Sequence, residues 1–163
     1  MSNIVVGFSK SRKFKLLSWL IRKAEHTAFS HVYVKIYDAR IYRWMVYEAS
    51  GLNTHCSTQD AFYLKNKEIA EFVVECSPET ENEVLTTASD ALNANYGIMQ
   101  LIGMGLVRLC SSVGISIKNP FRDGRKTYVC SEYVGVLLNK LGYEVGDLDA
   151  LTPKHIYELL QNG

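Results

Sequence analysis

The chain has no closely spaced cysteine pair, no glycine-rich phosphate loop, no internal repeat and almost no net charge. Each absence removes a class of function. Cys56, Cys76, Cys110 and Cys130 stand far apart with no C-x-x-C among them, which disfavours a zinc site. Without a phosphate-cradling loop, dinucleotide binding and nucleotide hydrolysis have no support, and no cofactor is implied. A formal net charge of +1 creates no global field to recruit nucleic acid or an anionic membrane, so any charge effect is local.

No leader is expected from the first residues either. Met-Ser-Asn-Ile-Val-Val-Gly-Phe-Ser lacks the charged start and long apolar run of a signal peptide and suits a first strand. The most apolar stretch, Ile98 to Val113, is interrupted by Gln100 and Arg108. It falls short of the roughly 20 apolar residues that span a bilayer and reads as a buried helix. Unclustered cysteines without a leader point to reduced thiols and a cytoplasmic location, with later delivery elsewhere left open. What remains is 163 residues, 47% hydrophobic and 21% charged, which suits one globular domain over residues 1–163.

Chemistry concentrates in Tyr-Val-Cys-Ser-Glu-Tyr-Val at 128–134. Val129, Tyr133, Val136, Leu137 and Leu141 recur at three- and four-residue intervals and form one stripe of a helix that Gly142 closes. Cys130 therefore sits at a helix N-terminus, where unpaired backbone N–H groups and the macrodipole favour a thiolate. Glu132 falls in the same first turn. The competing reading of Cys130 is a buried thiol acting as a small hydrophobe.

A cysteine nucleophile needs a base, and His31 is the best candidate. In Phe-Ser-His-Val-Tyr-Val-Lys-Ile-Tyr, alternation puts Val32, Val34 and Ile36 on one face of a strand and His31, Tyr33, Lys35 and Tyr37 on the other. Asp38-Ala39-Arg40 reads as a turn and Ile41 to Ala49 as the returning strand. A loop centred between Ala39 and Arg40 sets Glu48 opposite His31, where a carboxylate holds an imidazole in one tautomer. A one-residue slip turns Glu48 to the other face. Spacing alone does not select His31 over His26, His55 and His155.

These segments carry a resemblance. Phe-Ser-His-Val-Tyr-Val, then Val-Tyr-Glu-Ala, then Tyr-Val-Cys-Ser-Glu-Tyr-Val, then Leu-Thr-Pro near the C-terminus resemble the circularly permuted branch of the NlpC-type papain-like cysteine hydrolases. The YiiX/YaeF-like proteins and, more distantly, the lecithin retinol acyltransferase-like proteins belong to this branch. Here the histidine strand precedes the cysteine helix. The resemblance implies a permuted papain-like α+β fold, with an antiparallel sheet packed against helices. It makes Cys130 the nucleophile, His31 the general base and Glu48 the residue that orients the histidine. Asn95-Tyr96-Gly97 is similar to a small-Tyr-Asp element of the family, with Gly97 where an aspartate is often found.

The chemistry then expected is covalent catalysis at an acyl carbon, with the backbone N–H of Cys130 as oxyanion donor. Tyr128 and Tyr33 are candidate oxyanion or substrate contacts, each with packing as the alternative. The substrate expected is a peptide-like, for example cell-wall, amide cleaved by a peptidase or amidase. A lipid-directed acyltransferase or thioesterase with the same triad, or a noncatalytic binding scaffold, are the alternatives.

The remaining segments complete the domain. Lys10 to Lys23 reads as a basic amphipathic helix with its apolar residues against the sheet, membrane contact being the less favoured alternative. Glu68 to Cys76 reads as a strand, and Ser77-Pro78-Glu79 opens a helix running to about Asn93. Gly114 to Thr127, with Lys118, Arg122, Arg125 and Lys126, reads as a loop before the nucleophile. Thr152-Pro153 begins a last helix carrying Ile156, Leu159 and Leu160.

Overall fold

A computed structural model describes residues 2–50, 53–96 and 127–163. Five antiparallel strands form the body of one sheet: β1 (Ser2–Ser11), β2 (His31–Asp38), β3 (Arg43–Ser50), β4 (Asn53–Thr58) and β5 (Asn66–Cys76). Their order is β5-β1-β2-β3-β4, extended at the β4 edge by the short β6 (Asn95–Tyr96) and β7 (Thr127–Tyr128). Five helices accompany the sheet among the described residues: α1 (Leu16–Glu25), α2 (Gln59–Lys65), α3 (Pro78–Asp90), α4 (Cys130–Lys140) and α5 (Pro153–Asn162). An antiparallel sheet packed against helices is the architecture expected from the sequence.

Alternation along the strands sorts side chains onto two unlike faces. Ile4, Val6 and Phe8 of β1 join Val32, Val34 and Ile36 of β2 on the apolar face. Against them pack Val84 and Ala88 of α3, Val134, Leu137 and Leu138 of α4, and Ile156 and Leu160 of α5. Full burial of one such residue, Leu137, stabilises the fold by about 2 kcal/mol. The opposite face carries His31, Tyr33 and Lys35, with a small second core of Tyr33, Val46 and Phe62 beneath α2. Gly7 pairs with Tyr33 across β1 and β2, and a Cβ there would lie 2.1 Å from the tyrosine ring.

The hairpin differs from expectation in a way that matters for the site. Its ladder begins at Asp38–Arg43, leaving residues 39–42 as the loop. Asp38 accepts the Arg40 backbone N–H and guanidinium, and Tyr42 takes a left-handed conformation at φ 54°. The register is therefore two residues away from one centred between Ala39 and Arg40, so Glu48 is not directly opposite His31. Two is an even shift, and Glu48 keeps the His31 face. The ladder also stops at Val34–Tyr47, while β2 remains paired with β1 to His31 and β3 with β4 to Ser50. The two strands part at the end that carries His31 and Glu48.

The helix expected over Lys10 to Lys23 is corrected at both ends and in orientation. Lys10 and Ser11 finish β1, and α1 begins only at Leu16. Its apolar residues do not cover the sheet: Leu16, Leu17, Trp19 and Leu20 are exposed. The third helix ends at Asp90 rather than near Asn93. Its N-terminus follows the sequence, with Ser77 Oγ accepting the Thr80 N–H and Pro78 in the first turn. Gly97, the apolar 98–113 stretch and residues 114–126 of the basic loop lie outside the described residues. Among those described, no helix is long and apolar enough to cross a membrane.

Candidate active site

The first turn of α4 is fixed by buried hydrogen bonds. Val129, extended at the N-cap, donates its backbone N–H to Glu132 Oε2 at 3.0 Å. Ser131 Oγ donates to the Leu151 carbonyl at 2.6 Å, and Tyr133 Oη donates to the Ala88 carbonyl at 3.2 Å. These contacts tie the helix start to the C-terminal segment and to α3. The helix closes at Leu141, followed by Gly142 at φ 87°. Cys130 is thus the first helical residue, a buried free thiol 6% exposed. Because α4 packs on β2 and β3, its N-terminus meets the sheet where these strands part.

His31 lies between Cys130 and Glu48. Its Nε2 is 2.6 Å from Glu48 Oε2, with the two side chains only 15% and 6% exposed. An ionised carboxylate accepts only, so Nε2 carries the proton and donates, which leaves Nδ1 for the thiol. Cys130 interacts with the imidazole as a hydrogen-bond partner and through its charge. Burial pulls the imidazolium pKa down, but the hydrogen bonds and charges of Cys130 and Glu48 outweigh it, raising the pKa from 6.5 to about 10.

Glu48 has a second partner that spacing alone did not select. His55 of β4 stands directly across from Glu48 and brings Nε2 to within 3.0 Å of Oε1. The other His55 nitrogen, Nδ1, is 3.4 Å from the Asn53 carbonyl. Burial pushes the Glu48 pKa up, but the hydrogen bonds from His31 and His55 prevail and hold it far below the usual carboxylate range. The His55 pKa is raised chiefly by its hydrogen bond to Glu48. The missed signal was β4 itself, whose Asn53–Thr58 run pairs in register with β3.

A cleft of about 520 Å³ opens beside this group, walled by His31, Glu48 and His55 on the sheet and by Lys15, Leu17 and Ile21 from α1 and its approach. Such an arrangement suits a proton relay: a fixed carboxylate, a partly covered imidazole and a thiol, with space for a reacting group.

The two candidate tyrosines have different fates. Tyr33 is fully buried, with its hydroxyl 3.0 Å from Glu71 Oε1 and 3.3 Å from Tyr63 Oη. It is committed to a separate polar cluster, which fits packing, the alternative given for it, rather than substrate contact. For Tyr128 the backbone pairs with Tyr96, and its side chain lies outside what is described. Of the expected site residues, the structure brings together Cys130, His31 and Glu48. Among the described residues, no group of three or more His, Cys, Asp or Glu side chains is arranged to hold a metal ion. Compared with known proteins, the chain matches no family model and no curated protein.

Proposed function

We propose that this protein is a cysteine hydrolase of the permuted papain-like kind, cleaving an amide bond in a peptide-like substrate. The observation that carries this reading is the continuous chain from Glu48 through His31 to Cys130. In the proposed reaction the Cys130 proton already rests on His31, as the raised imidazole pKa favours, and the thiolate sulfur attacks the acyl carbon. The tetrahedral oxyanion is stabilised by the backbone N–H of Cys130, which belongs to the first helical turn. Collapse expels the amine, which takes the proton from His31 and leaves an acyl-thioester on Cys130. Water, deprotonated by His31, then releases the acid. Glu48 keeps the imidazole oriented and balances its positive charge throughout.

A second reading shares the triad and is favoured by one observation, the exposed apolar side of α1 beside the cleft. It is a lipid-directed acyltransferase or thioesterase. To decide, the protein is incubated with peptide amides, carboxylic esters and acyl thioesters, and intact mass is followed by peptide mapping. The proposal expects an acyl adduct on Cys130, absent in Cys130→Ser, with turnover of the amide class. Adducts from long-chain esters or thioesters alone favour the lipid reading. A folded protein that forms no adduct with any class is a binding scaffold.

A further inference from the structure

Helix α1 is mounted with its polar side inward. Ser18, Arg22 and Glu25, spaced as one helical stripe, face the protein. Ser18 Oγ lies 2.6 Å from Ser30 Oγ, Arg22 Nη1 donates to Ser18 Oγ at 3.2 Å, and buried Glu25 accepts the Lys154 N–H at 3.3 Å. The other side is apolar and faces out: Leu16 is 62% exposed, Leu20 48% and Trp19 39%, preceded by Phe14 at 76%. A helix that merely supports a sheet shows the reverse, and a contiguous exposed apolar patch marks an interaction surface.

Charge identifies what fits that surface. Lys13, Lys15 and Lys23 are exposed in and next to this segment, Arg12 is exposed with its Nε on the Tyr63 and Asn66 carbonyls, and no acidic residue occurs between Lys10 and Ala24. A second copy meeting it face to face would set these cations against one another. An anionic bilayer instead offers acidic headgroups to the Lys and Arg side chains and acyl chains to Trp19, Leu16, Leu20 and Phe14. We propose that residues 12–23 dock this protein onto an anionic membrane surface, lying in the interface without crossing it. Because Lys15, Leu17 and Ile21 also wall the cleft that holds His31, docking sets the cleft beside the bilayer. The inference stands apart from the catalytic reading, since it requires neither Cys130 nor a substrate.

The test is cosedimentation of the full chain with phosphatidylcholine vesicles, with and without phosphatidylglycerol. Fluorescence is read in a Trp44→Phe background, where Trp19 is the lone tryptophan of the two in the sequence. Binding is expected only with phosphatidylglycerol, falling with salt and accompanied by a blue shift of Trp19. Lys13→Gln with Lys23→Gln lowers the partition coefficient about 30-fold. Leu16→Ser with Leu20→Ser removes the blue shift while circular dichroism stays unchanged. Folded wild-type protein that ignores phosphatidylglycerol vesicles, or binds both kinds equally, overturns the proposal. A dimer in light scattering that Leu16→Ser with Leu20→Ser dissociates, without lipid binding, assigns the face to a second copy and also overturns it.

Discussion

Lys35 and His31 project from the same face of β2, and each meets a carboxylate from another strand, Glu71 for the lysine and Glu48 for the histidine. The lysine cluster is closed. Glu71 accepts Lys35 at 2.7 and 2.9 Å and also the hydroxyls of Tyr33 and Tyr63, while Trp44 and Tyr63 flank the ammonium group. Burial, together with the neighbouring carboxylate charge, holds both phenols protonated. The histidine cluster is open: the imidazole spends one nitrogen on Glu48, offers the other to the Cys130 thiol, and itself lines a cleft. A charged pair becomes reactive chemistry when one partner retains a transferable proton and an accessible neighbour. A saturated pair contributes only to the fold.

The sharpest way to separate the clusters is to remove the relay. Cys130→Ser or His31→Ala is expected to lower turnover by at least about 10⁴-fold, with circular dichroism unchanged. Glu48→Gln should reduce turnover by about 10²-fold, since the imidazole keeps its thiol but loses its orienting charge. The same change is expected to remove about 3 kcal/mol of stability in denaturant unfolding, because two histidines lose their carboxylate. Lys35→Met breaks the closed cluster instead. It should destabilise by about 2 kcal/mol through the stranded Glu71 while leaving Cys130 alkylation as in wild type.

The smallest effect distinguishes the clusters by pH. The His31 pKa is raised in the fold to about 10, so its stabilising contribution is complete below 6.5 and is lost as pH rises from 6.5 through 10. The Glu48 pKa is lowered, so its contribution is complete above 4.5 and is lost as pH falls below that value. Thermal melts should therefore peak between 4.5 and 6.5 as far as this pair contributes, and Glu48→Gln should flatten both limbs.

Much of this was legible from alternation and helix spacing, which are local properties. The strand from His31, the position of Cys130 at the start of α4, the Ser77-Pro78 helix opening and the Thr152-Pro153 start all follow from residue type at fixed intervals. Register was not legible at the hairpin, because Asp38 and the left-handed Tyr42 choose a longer loop than the turn signal suggests. Face parity survived only because the shift is even. The role of His55 required the β3–β4 pairing, a nonlocal fact. The outward apolar side of α1 was equally hidden, since amphipathic spacing defines two faces but not which one meets the protein.

The most direct test of the Cys130–His31 pair is alkylation of Cys130 across pH, read by peptide mapping in wild type and His31→Ala. Cys56 and Cys76 serve as internal references, their thiol pKa values pushed up chiefly by burial. The pair predicts fast labelling of Cys130 below neutral pH that disappears in His31→Ala, with the references unchanged. Slow labelling that matches the references and ignores the histidine substitution would contradict it.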